Sequence, residues 1–325
     1  MAEGIDVTPV LREVERRLRR HVTTSNRLLD EAARYLIDAG GKRFRPMLVA
    51  LCAHLGDPHD ARIPDAGVVV ELVHLATLYH DDVIDEAAAR RGTRSANARW
   101  DNTVAILTGD YLFARASELS ASLGVEVTRI MSQTIARLCE GQIHEVQGTR
   151  GIRPTGVPPV EPTLEHHLAV VSSKTASLIA TSCRLGALLS GCDEREVTDI
   201  ARYGWNLGMA FQLSDDILDV ASEAADSGKT PGTDLREGVP TLPVIFALED
   251  EPDGELARLL DAEAVTDEAV GRALGILRSS RALERARALA AAYAEDAKAA
   301  LAPFPDGAAR RALRHLADYT VVRTG

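Results

Sequence analysis

The chain has 325 residues, of which 46% are hydrophobic, and its formal net charge is −11. This acidic balance argues against a general affinity for nucleic acid or for an anionic membrane surface. It leaves open an anionic substrate that divalent metal bridges to carboxylates. Aromatic residues make up only 4% of the chain, and small aliphatic residues dominate, which favours helix-on-helix packing over a sheet rich in β-branched and aromatic side chains.

Cysteine usage and the apolar stretches bound the cellular context. The four cysteines are scattered and lack the close pairing of a zinc site. The N-terminus continues into the charged run 12–20 and lacks the apolar core of a signal peptide. Glu71 and His74 interrupt the apolar stretch 66–79, which indicates a buried helix rather than a membrane span. We therefore expect a cytoplasmic protein with no integral membrane segment.

The elements predicted along the first half of the chain are all helices. Apolar residues recur three and four positions apart, as on one face of a helix. The segments with this pattern are 7–18, 26–39, 47–55, 65–86, 103–123 and 126–147. Gly40 and Gly41 end the second of these helices, and Pro46 can start the third. The Gly- and Pro-rich stretch 148–162 is predicted to be a loop, long enough to be a flap or an insertion.

The second half of the chain continues the same pattern. Helices are predicted over 163–189 and 194–222, a punctuated loop over 227–243, and two or three further helices between 242 and 322. No convincing alternating strand pattern, dividing linker or short repeat interrupts the chain. The sequence therefore predicts a single all-α domain over 1–325, with about ten or more helices.

Two Asp-Asp-x-x-Asp motifs are the most informative feature of the sequence. We call 81–85 the first acidic motif and 215–219 the second acidic motif. Their carboxylates are Asp81, Asp82 and Asp85 in the first, and Asp215, Asp216 and Asp219 in the second. On a helix the first and last carboxylate of each motif lie on one face. Two like charges in this arrangement destabilise the helix by about 0.2–0.5 kcal/mol.

Metal binding is the explanation that two such motifs favour. One copy alone is also typical of a solvated helix face, and a cation conduit would need similar carboxylates. Two copies in largely apolar helices favour Mg²⁺, because an unpaired acidic cluster is costly to bury and Mg²⁺ prefers oxygen ligands that substrate phosphates complete.

Basic residues lie beside the acidic motifs or at the predicted helix ends. Each alone is typical of a surface charge. Arginine binds phosphate in a planar, bidentate way and lysine acts as a point charge, so together they suit two diphosphates. These residues are Lys42, Arg45, Arg90, Arg91, Lys174 and Lys229.

With these motifs the sequence resembles the trans-type isoprenyl diphosphate synthases, the polyprenyl synthase family. The matching pieces occur in the family's order between residue 40 and about residue 243. They are GGKRFRP at 40–46, ELVHLATLYHDDVID at 71–85, RRG at 90–92, GDY at 109–111, GQ at 141–142, KTA at 174–176, FQLSDDILD at 211–219, GK at 228–229 and GTDL at 232–235.

The resemblance implies a fold and a ligand set. The fold is an isoprenoid-synthase-type helical bundle around a central cavity, usually homodimeric, with the two acidic motifs at the cavity mouth. About three Mg²⁺ ions would bridge an allylic diphosphate (geranyl, farnesyl or geranylgeranyl) to the carboxylates. The implied metal ligands are Asp81, Asp82, Asp85, Asp215 and Asp219.

The resemblance also assigns the remaining site residues. Those implied to hold the allylic diphosphate are Arg90, Lys174 and Lys229. Those implied to hold isopentenyl diphosphate are Lys42, Arg45, His74 and Arg91. Thr175, Gln142 and Gln212 would present oxygen dipoles to a carbocation. The residues expected to carry catalysis are Asp81, Asp82, Asp85, Lys174, Asp215 and Lys229.

The implied reaction is a head-to-tail prenyl transfer. Metal and lysine charge would stabilise the departing diphosphate, so that the allylic C–O bond ionises and isopentenyl diphosphate attacks the cation. In this family the departed diphosphate is thought to take the proton, which explains why no nucleophilic triad is needed. One departure is Val239, where many relatives carry a basic residue, and it weakens the expectation that a second lysine closes the loop.

Product length in the family depends on the residues below the first acidic motif. Short-chain members tend to carry Phe or Tyr where this chain has Ala76 and Thr77, and one turn deeper stands Val73. We therefore expect a product longer than farnesyl diphosphate, of the hexaprenyl to decaprenyl kind. Geranylgeranyl diphosphate is the alternative, since Tyr111 or Phe113 on a neighbouring helix could close the tunnel higher up.

Three competing interpretations explain less of the sequence. A class I terpene cyclase normally replaces the second acidic motif with an Asn/Ser/Glu triad. A non-catalytic partner subunit of a heteromeric synthase usually loses an acidic motif, and both are intact here. A non-enzymatic acidic binding protein would not explain the ordered lysines and arginines.

Overall fold

The computed structural model describes residues 4–149, 158, 160–222, 231–260 and 266–322. Its Cα positions divide the chain into two compact units, each built from discontinuous segments. The first unit comprises Met1–Ala136, Leu178–Gly204 and Pro303–Leu313, and the second comprises Arg137–Ser177, Trp205–Ala302 and Arg314–Gly325. The expectation of one domain over the whole chain stays a prediction.

The regular secondary structure of the described residues is helical apart from one two-residue hairpin, which confirms the all-α prediction. A five-residue π-helical turn (Ser172–Ala176) separates α8 from α9. In chain order the elements are α1 (Thr8–His21), α2 (Arg27–Asp38), α3 (Phe44–Ala53), α4 (Ile63–Ile84), β1 (Ala89–Arg90), β2 (Thr93–Arg94), α5 (Ala96–Arg99), α6 (Asn102–Leu123), α7 (Val125–Gly148), α8 (Leu164–Val171), α9 (Ser177–Leu189), α10 (Glu194–Ala221), α11 (Thr233–Arg236), α12 (Leu242–Asp250), α13 (Glu255–Leu260), α14 (Asp267–Ser279), α15 (Ala282–Ala300) and α16 (Ala308–Val322).

Local capping explains where several helices begin. The side chain of Asn26 accepts a hydrogen bond from the Leu29 amide at the start of α2 (3.1 Å). Asp101 does the same for Val104 at the start of α6 (2.8 Å). A cap of this kind stabilises a helix by about 1 kcal/mol.

In the first unit, α4 is the central helix and packs against α1, α3 and α6. It is apolar on nearly every face, so most of its side chains are buried. Gly67 allows the close approach of α1, because a Cβ at this position would lie 2.9 Å from Cγ2 of Val14. The first acidic motif occupies the C-terminal end of this buried helix, and its position is therefore fixed by core packing.

In the second unit, α12 packs against α8 and α15, and α14 packs against α13 and α15. Apolar residues of α10, among them Leu213 and Ile217, lie in the same core and are fully buried. This core holds the part of α10 that carries the second acidic motif.

Several elements differ from the sequence prediction. Residues 89–94 form a two-residue antiparallel hairpin, β1 and β2, although no strand was expected. The region after residue 242, expected to hold two or three helices, contains α12 to α16 in its described part. None of the helices in the described ranges is long and apolar enough to cross a membrane.

Candidate active site

The first acidic motif separates into two outward carboxylates and one buried carboxylate. Asp81 is partly exposed and Asp85, at the C-terminal cap of α4, is exposed. Asp82 has 0% exposure. The negative charges of three carboxylates at a helix C-terminus also interact unfavourably with the helix dipole. Among the described residues no three histidine, cysteine, aspartate or glutamate side chains converge as a metal site. A divalent metal held by the outward Asp81 and Asp85 would therefore need a diphosphate and water to complete its ligands.

Asp82 is anchored to the hairpin that follows α4. Its Oδ1 accepts a hydrogen bond from Nε of Arg90 at 2.7 Å, while its buried Oδ2 has no hydrogen-bond partner among the described residues. Burial raises the pKa of the Asp82 carboxyl, and the Arg90 guanidinium opposes this shift. Arg90 was expected to hold a diphosphate, and in the structure its Nε donates a hydrogen bond to Asp82 instead. The buried Oδ2 is an unsatisfied acceptor, which is costly in a protein interior.

The hairpin turn sends Arg90 and Arg91 to different partners. Arg91 and Gly92 both have positive φ (53° and 75°), as the tightest two-residue hairpins require. Nη1 of Arg91 donates to the carbonyls of Leu36 (2.7 Å) and of Gly40. A left-handed arginine is strained by about 1–2 kcal/mol, which the surrounding hydrogen bonds offset.

Three of the four side chains expected to hold isopentenyl diphosphate, Arg45, His74 and Arg91, lie with Arg43 near a buried glutamate in the first unit. We call this group the arginine cluster, formed by Arg43, Arg45, His74 and Arg91 around Glu71. Glu71 is 2% exposed. Its Oε1 accepts a hydrogen bond from Nη1 of Arg43 at 2.9 Å and lies 3.9 Å from Nη2 of Arg91.

The arginine cluster contains a buried nitrogen, Nε of Arg45, that has no hydrogen-bond partner among the described residues and is suited to an anion. Burial lowers the pKa of Arg45 to about 10, with Glu71 opposing and Arg91 adding to the shift. The Arg45 guanidinium stays charged at neutral pH, and its buried Nε has no hydrogen-bond partner among the described residues. A buried charged donor without a partner is costly, and a diphosphate oxygen would satisfy it. Lys42, exposed at the start of this segment, lies close in sequence.

His74 is the uncharged member of this cluster. Burial holds its pKa well below the usual range, and the positive charges of Arg45, Arg91, Arg43 and Arg90 lower it further. At neutral pH the imidazole is therefore uncharged.

The depressed pKa of His74 predicts a pH-dependent stability. The unfolded chain protonates this histidine near pH 6.5, whereas the folded chain does not, so stability is complete above pH 6.5 and is lost as pH falls below it. The loss is at most about 1.4 kcal/mol per pH unit. Between pH 6.5 and 5 the melting temperature of the wild type should fall more steeply than that of His74→Gln. All other histidines are the same in both proteins, so parallel curves of melting temperature against pH would contradict this environment for His74.

The second acidic motif repeats the division into outward and buried carboxylates. Asp215 and Asp219 are partly exposed on α10, whereas Asp216 is 2% exposed. The carboxylate of Asp219 accepts hydrogen bonds from the amides of Thr233 (3.1 Å) and Asp234 (3.3 Å) in the first turn of α11. The GTDL piece noted in the sequence therefore orients the last carboxylate of the motif.

Lys174 lies in the π-helical turn between α8 and α9. Such π-helical turns are frequent at functional sites. Nζ of Lys174 donates to Oε2 of Glu145, which also accepts from Nε2 of Gln142 at 3.1 Å. Gly141 lets α7 approach this turn, since a Cβ there would lie 2.7 Å from the Lys174 amide nitrogen.

Thr175 and Gln212 form one hydrogen-bonded chain with the motif. The Thr175 hydroxyl donates to Oε1 of Gln212 (3.0 Å), and Nε2 of Gln212 donates to Oδ1 of Asp216 (3.1 Å). The structure thus brings together Lys174, Thr175, Gln212 and the second acidic motif within the second unit. Lys229, and the stretches 150–157 and 223–230, lie outside the described residues.

Three residues that contact the predicted site residues were missed by sequence reasoning. They are Glu71 as the anchor of the arginines, Glu145 as the partner of Lys174, and His167 as a partner of Asp216. Glu71 was noted as an interruption of the apolar stretch 66–79 and as part of a matching segment, but not as a site residue. No spacing rule marks the other two, because the contacts join helices that are distant in sequence.

The residues expected to set product length share one face of α4. Val73 and Ala76 are fully buried and Thr77 is partly buried. A small cavity of about 20 Å³ lies beside Val73. Its other lining residues come from α6 and α7 and include no aromatic ring: Ala116, Ser117, Ser120, Thr128, Met131, Ser132 and Ile135.

The two aromatic residues that could have closed the tunnel do not line this cavity. The Tyr111 hydroxyl donates to the carbonyl of Val22 (3.3 Å). The ring of Phe113 lies against His80, with ring centroids 5.7 Å apart.

Comparison with known proteins identifies the family. The sequence pattern described as polyprenyl synthetase matches residues 26–277. A nonaprenyl diphosphate synthase of Mycobacterium tuberculosis is 46% identical over 315 residues, covering 96% of this chain and 92% of the relative. The structure of a decaprenyl diphosphate synthase from Rhodobacter capsulatus superposes with a TM-score of 0.88 at 32% identity, covering 98% of this chain and 97% of that one.

A shorter-chain synthase is also similar. The structure of a geranylgeranyl pyrophosphate synthase from Corynebacterium glutamicum, complexed with calcium and isoprenyl diphosphate, has a TM-score of 0.84 and 39% identity, and the match covers 98% of this chain and 96% of that one. On the fold, the motifs and these similarities, the chain belongs to the polyprenyl synthetase family.

Proposed function

We propose that this protein is a Mg²⁺-dependent prenyltransferase that condenses isopentenyl diphosphate with an allylic diphosphate, head to tail. The product is a trans-polyprenyl diphosphate longer than farnesyl, of the hexaprenyl to decaprenyl kind. The observation that carries the proposal is the shared design of the two acidic motifs. In each motif the first and last carboxylate lie one helical turn apart and face outward. The middle carboxylate is buried and contacts a basic side chain, Arg90 in the first motif and His167 in the second.

Each half of the reaction has residues suited to it. Asp81, Asp82, Asp85, Asp215 and Asp219 would hold Mg²⁺, which supplies positive charge to the departing diphosphate. Lys174 adds a point charge to the same diphosphate when it exchanges Glu145 for a phosphate oxygen. Arg90 and Lys229 would bind there as well.

The second substrate is assigned to the arginine cluster. Arg45, Arg91 and the neutral His74 bind isopentenyl diphosphate, with Lys42 beside them. Oxygen atoms of Thr175 and Gln212 stabilise the carbocation as dipoles, and the released diphosphate accepts the proton. Electrostatic stabilisation by preorganised groups of this kind is the main source of catalysis in such a reaction.

A long product is supported by the face of α4 below the first acidic motif. Asp81, Thr77 and Val73 follow one another at intervals of four residues, so Val73 lies about 12 Å from Asp81 along the helix. The side chains along this path are small or aliphatic. The cavity of about 20 Å³ at its end has room for about one water molecule, so a growing chain must widen it.

Geranylgeranyl diphosphate is the second candidate product. The 39% identity to the Corynebacterium glutamicum enzyme favours it, while the 46% identity to the nonaprenyl synthase favours the longer product.

The reaction class is tested by release of inorganic diphosphate. The purified chain is incubated alone with isopentenyl diphosphate and with geranyl, farnesyl or geranylgeranyl diphosphate in turn. We expect Mg²⁺-dependent release with at least one primer and none after chelation by EDTA. Absence of release with all three primers would exclude the proposed activity.

We also propose that the protein is a cytoplasmic homodimer. The exposed apolar pair Ile106 (42%) and Leu107 (59%) on α6 supports an interface there. We expect the wild type to elute as a dimer in light-scattering chromatography and Leu107→Glu to shift it to a monomer. Val322→Glu, at a position 70% exposed on α16, is the matched control. A wild-type monomer at micromolar concentration would contradict the proposal.

A further inference from the structure

The middle carboxylate of the second acidic motif is held from three directions. Oδ2 of Asp216 lies 2.8 Å from Nε2 of His167 and 3.4 Å from the amide nitrogen of Leu242 at the start of α12. Its Oδ1 accepts from Nε2 of Gln212 at 3.1 Å. Three elements of the second unit, α8, α10 and α12, therefore meet at this one buried carboxylate.

His167 is the residue through which α8 contacts the second acidic motif. Its side chain is 10% exposed. Because an ionised carboxylate only accepts hydrogen bonds, we assign the Nε2–H tautomer to the ring, so that Nε2 donates a hydrogen bond to Asp216. The contact joins residues 49 positions apart, which makes it a tertiary link rather than a local helix contact.

The same network returns to Lys174. α8 leads directly into the π-helical turn, whose Thr175 hydroxyl donates to Gln212 (3.0 Å), which in turn donates to Asp216. The start of that turn is tied to α10 as well, because Nε1 of Trp205 donates to the Ser172 hydroxyl at 3.0 Å. A chain of side-chain contacts thus runs from His167 through Asp216 and Gln212 to Thr175, and the backbone of α8 and the turn closes it into a ring.

The direction of Asp215 and Asp219 depends on how α10 is rotated about its axis. Successive residues differ by about 100° around a helix, so an anchor on Asp216 fixes the faces that its neighbours present. Hydrogen-bonding partners behind ligating carboxylates commonly change metal affinity or activity by about 10–100-fold when they are removed.

We propose that His167 is a positioning residue for the reaction. Through Asp216 it sets the orientation of Asp215 and Asp219, and through Gln212 and Thr175 it sets the turn that carries Lys174. His167 itself contacts neither metal nor substrate. This inference rests on the proposed function and adds to it a residue that no motif of the chain includes.

The test compares His167→Leu, which removes the donor at similar volume, with His167→Gln, whose amide nitrogen can reach Asp216. We expect His167→Leu to lower kcat by about 10–100-fold and to raise the half-saturating Mg²⁺ concentration. The KM for isopentenyl diphosphate should stay unchanged, because the arginine cluster is untouched. His167→Gln should recover most of both losses, and the exposed His315→Leu is the control.

A second readout does not depend on turnover. Mn²⁺ is titrated in the presence of inorganic diphosphate and followed by electron paramagnetic resonance. We expect the dissociation constant to rise about tenfold in His167→Leu and to be restored in His167→Gln. If His167→Leu does not fold, His167→Asn replaces it, since its shorter amide cannot reach Asp216.

The outcomes separate this inference from the proposed function. A wild type that releases no diphosphate overturns the function. An active wild type whose His167 variants lose melting temperature but keep its Mg²⁺ dependence, kcat and Mn²⁺ affinity overturns the positioning role. A loss in His167→Leu that His167→Gln does not rescue also overturns it.

Discussion

Asp81→Ala is expected to lower kcat for diphosphate release by about 10³-fold or more while the protein remains folded. Loss of a metal ligand, the role proposed for Asp81, removes several kcal/mol of transition-state stabilisation. Asp81 belongs to a crowded acidic strip at the C-terminal end of α4. Its removal relieves like-charge repulsion worth about 0.2–0.5 kcal/mol and an unfavourable interaction with the helix dipole. The melting temperature without metal should therefore stay equal or rise slightly.

The control for this variant is Asp253→Ala, at an exposed aspartate between α12 and α13. It removes the same charge away from the acidic motifs, so its kcat should equal that of the wild type. A large drop in the melting temperature of Asp81→Ala would instead show that the first acidic motif is structural.

Ala76→Phe is expected to shorten the product to the farnesyl or geranylgeranyl range. Ala76 lies one turn from Val73 on the same face of α4, between the first acidic motif and the small cavity. A ring at this position would block the growing chain sterically. Overpacking in a buried site costs about 1–3 kcal/mol, so some loss of stability is expected as well. Chromatography of the dephosphorylated products measures the length.

A graded series strengthens this experiment. Ala76→Val and Ala76→Leu should give products between those of the wild type and Ala76→Phe. Thr77→Phe places a ring on the same face at a partly buried position and should shorten the product too. If folded Ala76→Phe and Thr77→Phe both keep the wild-type length, the product does not pass along this face.

The long helices could be predicted because their signal lies in the sequence itself. The apolar spacing of α4, α6 and α10 predicts their bounds to within a few residues. The four-residue helices α5 and α11 are too short to show a helical period. The hairpin of β1 and β2 depends on a positive φ at Arg91, and arginine has no conformational preference from which this could be predicted. The C-terminal helices are rich in alanine, which blurs the boundaries between them.

The site was predictable in its residue types and only partly in its geometry. Spacing alone places the first and last carboxylate of each acidic motif on one face. The spacing does not show which face of the helix packs into the core, so it did not predict that Asp82 and Asp216 are buried. Their anchors, Arg90 and His167, meet them only through the fold. The metal ligands and substrate contacts stay predictions.

The most direct test of the account is the product that the purified chain makes alone. It is incubated with Mg²⁺, isopentenyl diphosphate and farnesyl diphosphate, and the products are identified by mass spectrometry. We predict a polyprenyl diphosphate of the hexaprenyl to decaprenyl kind. A product no longer than geranylgeranyl diphosphate would contradict the chain-length assignment, and no product at all would contradict the proposed reaction.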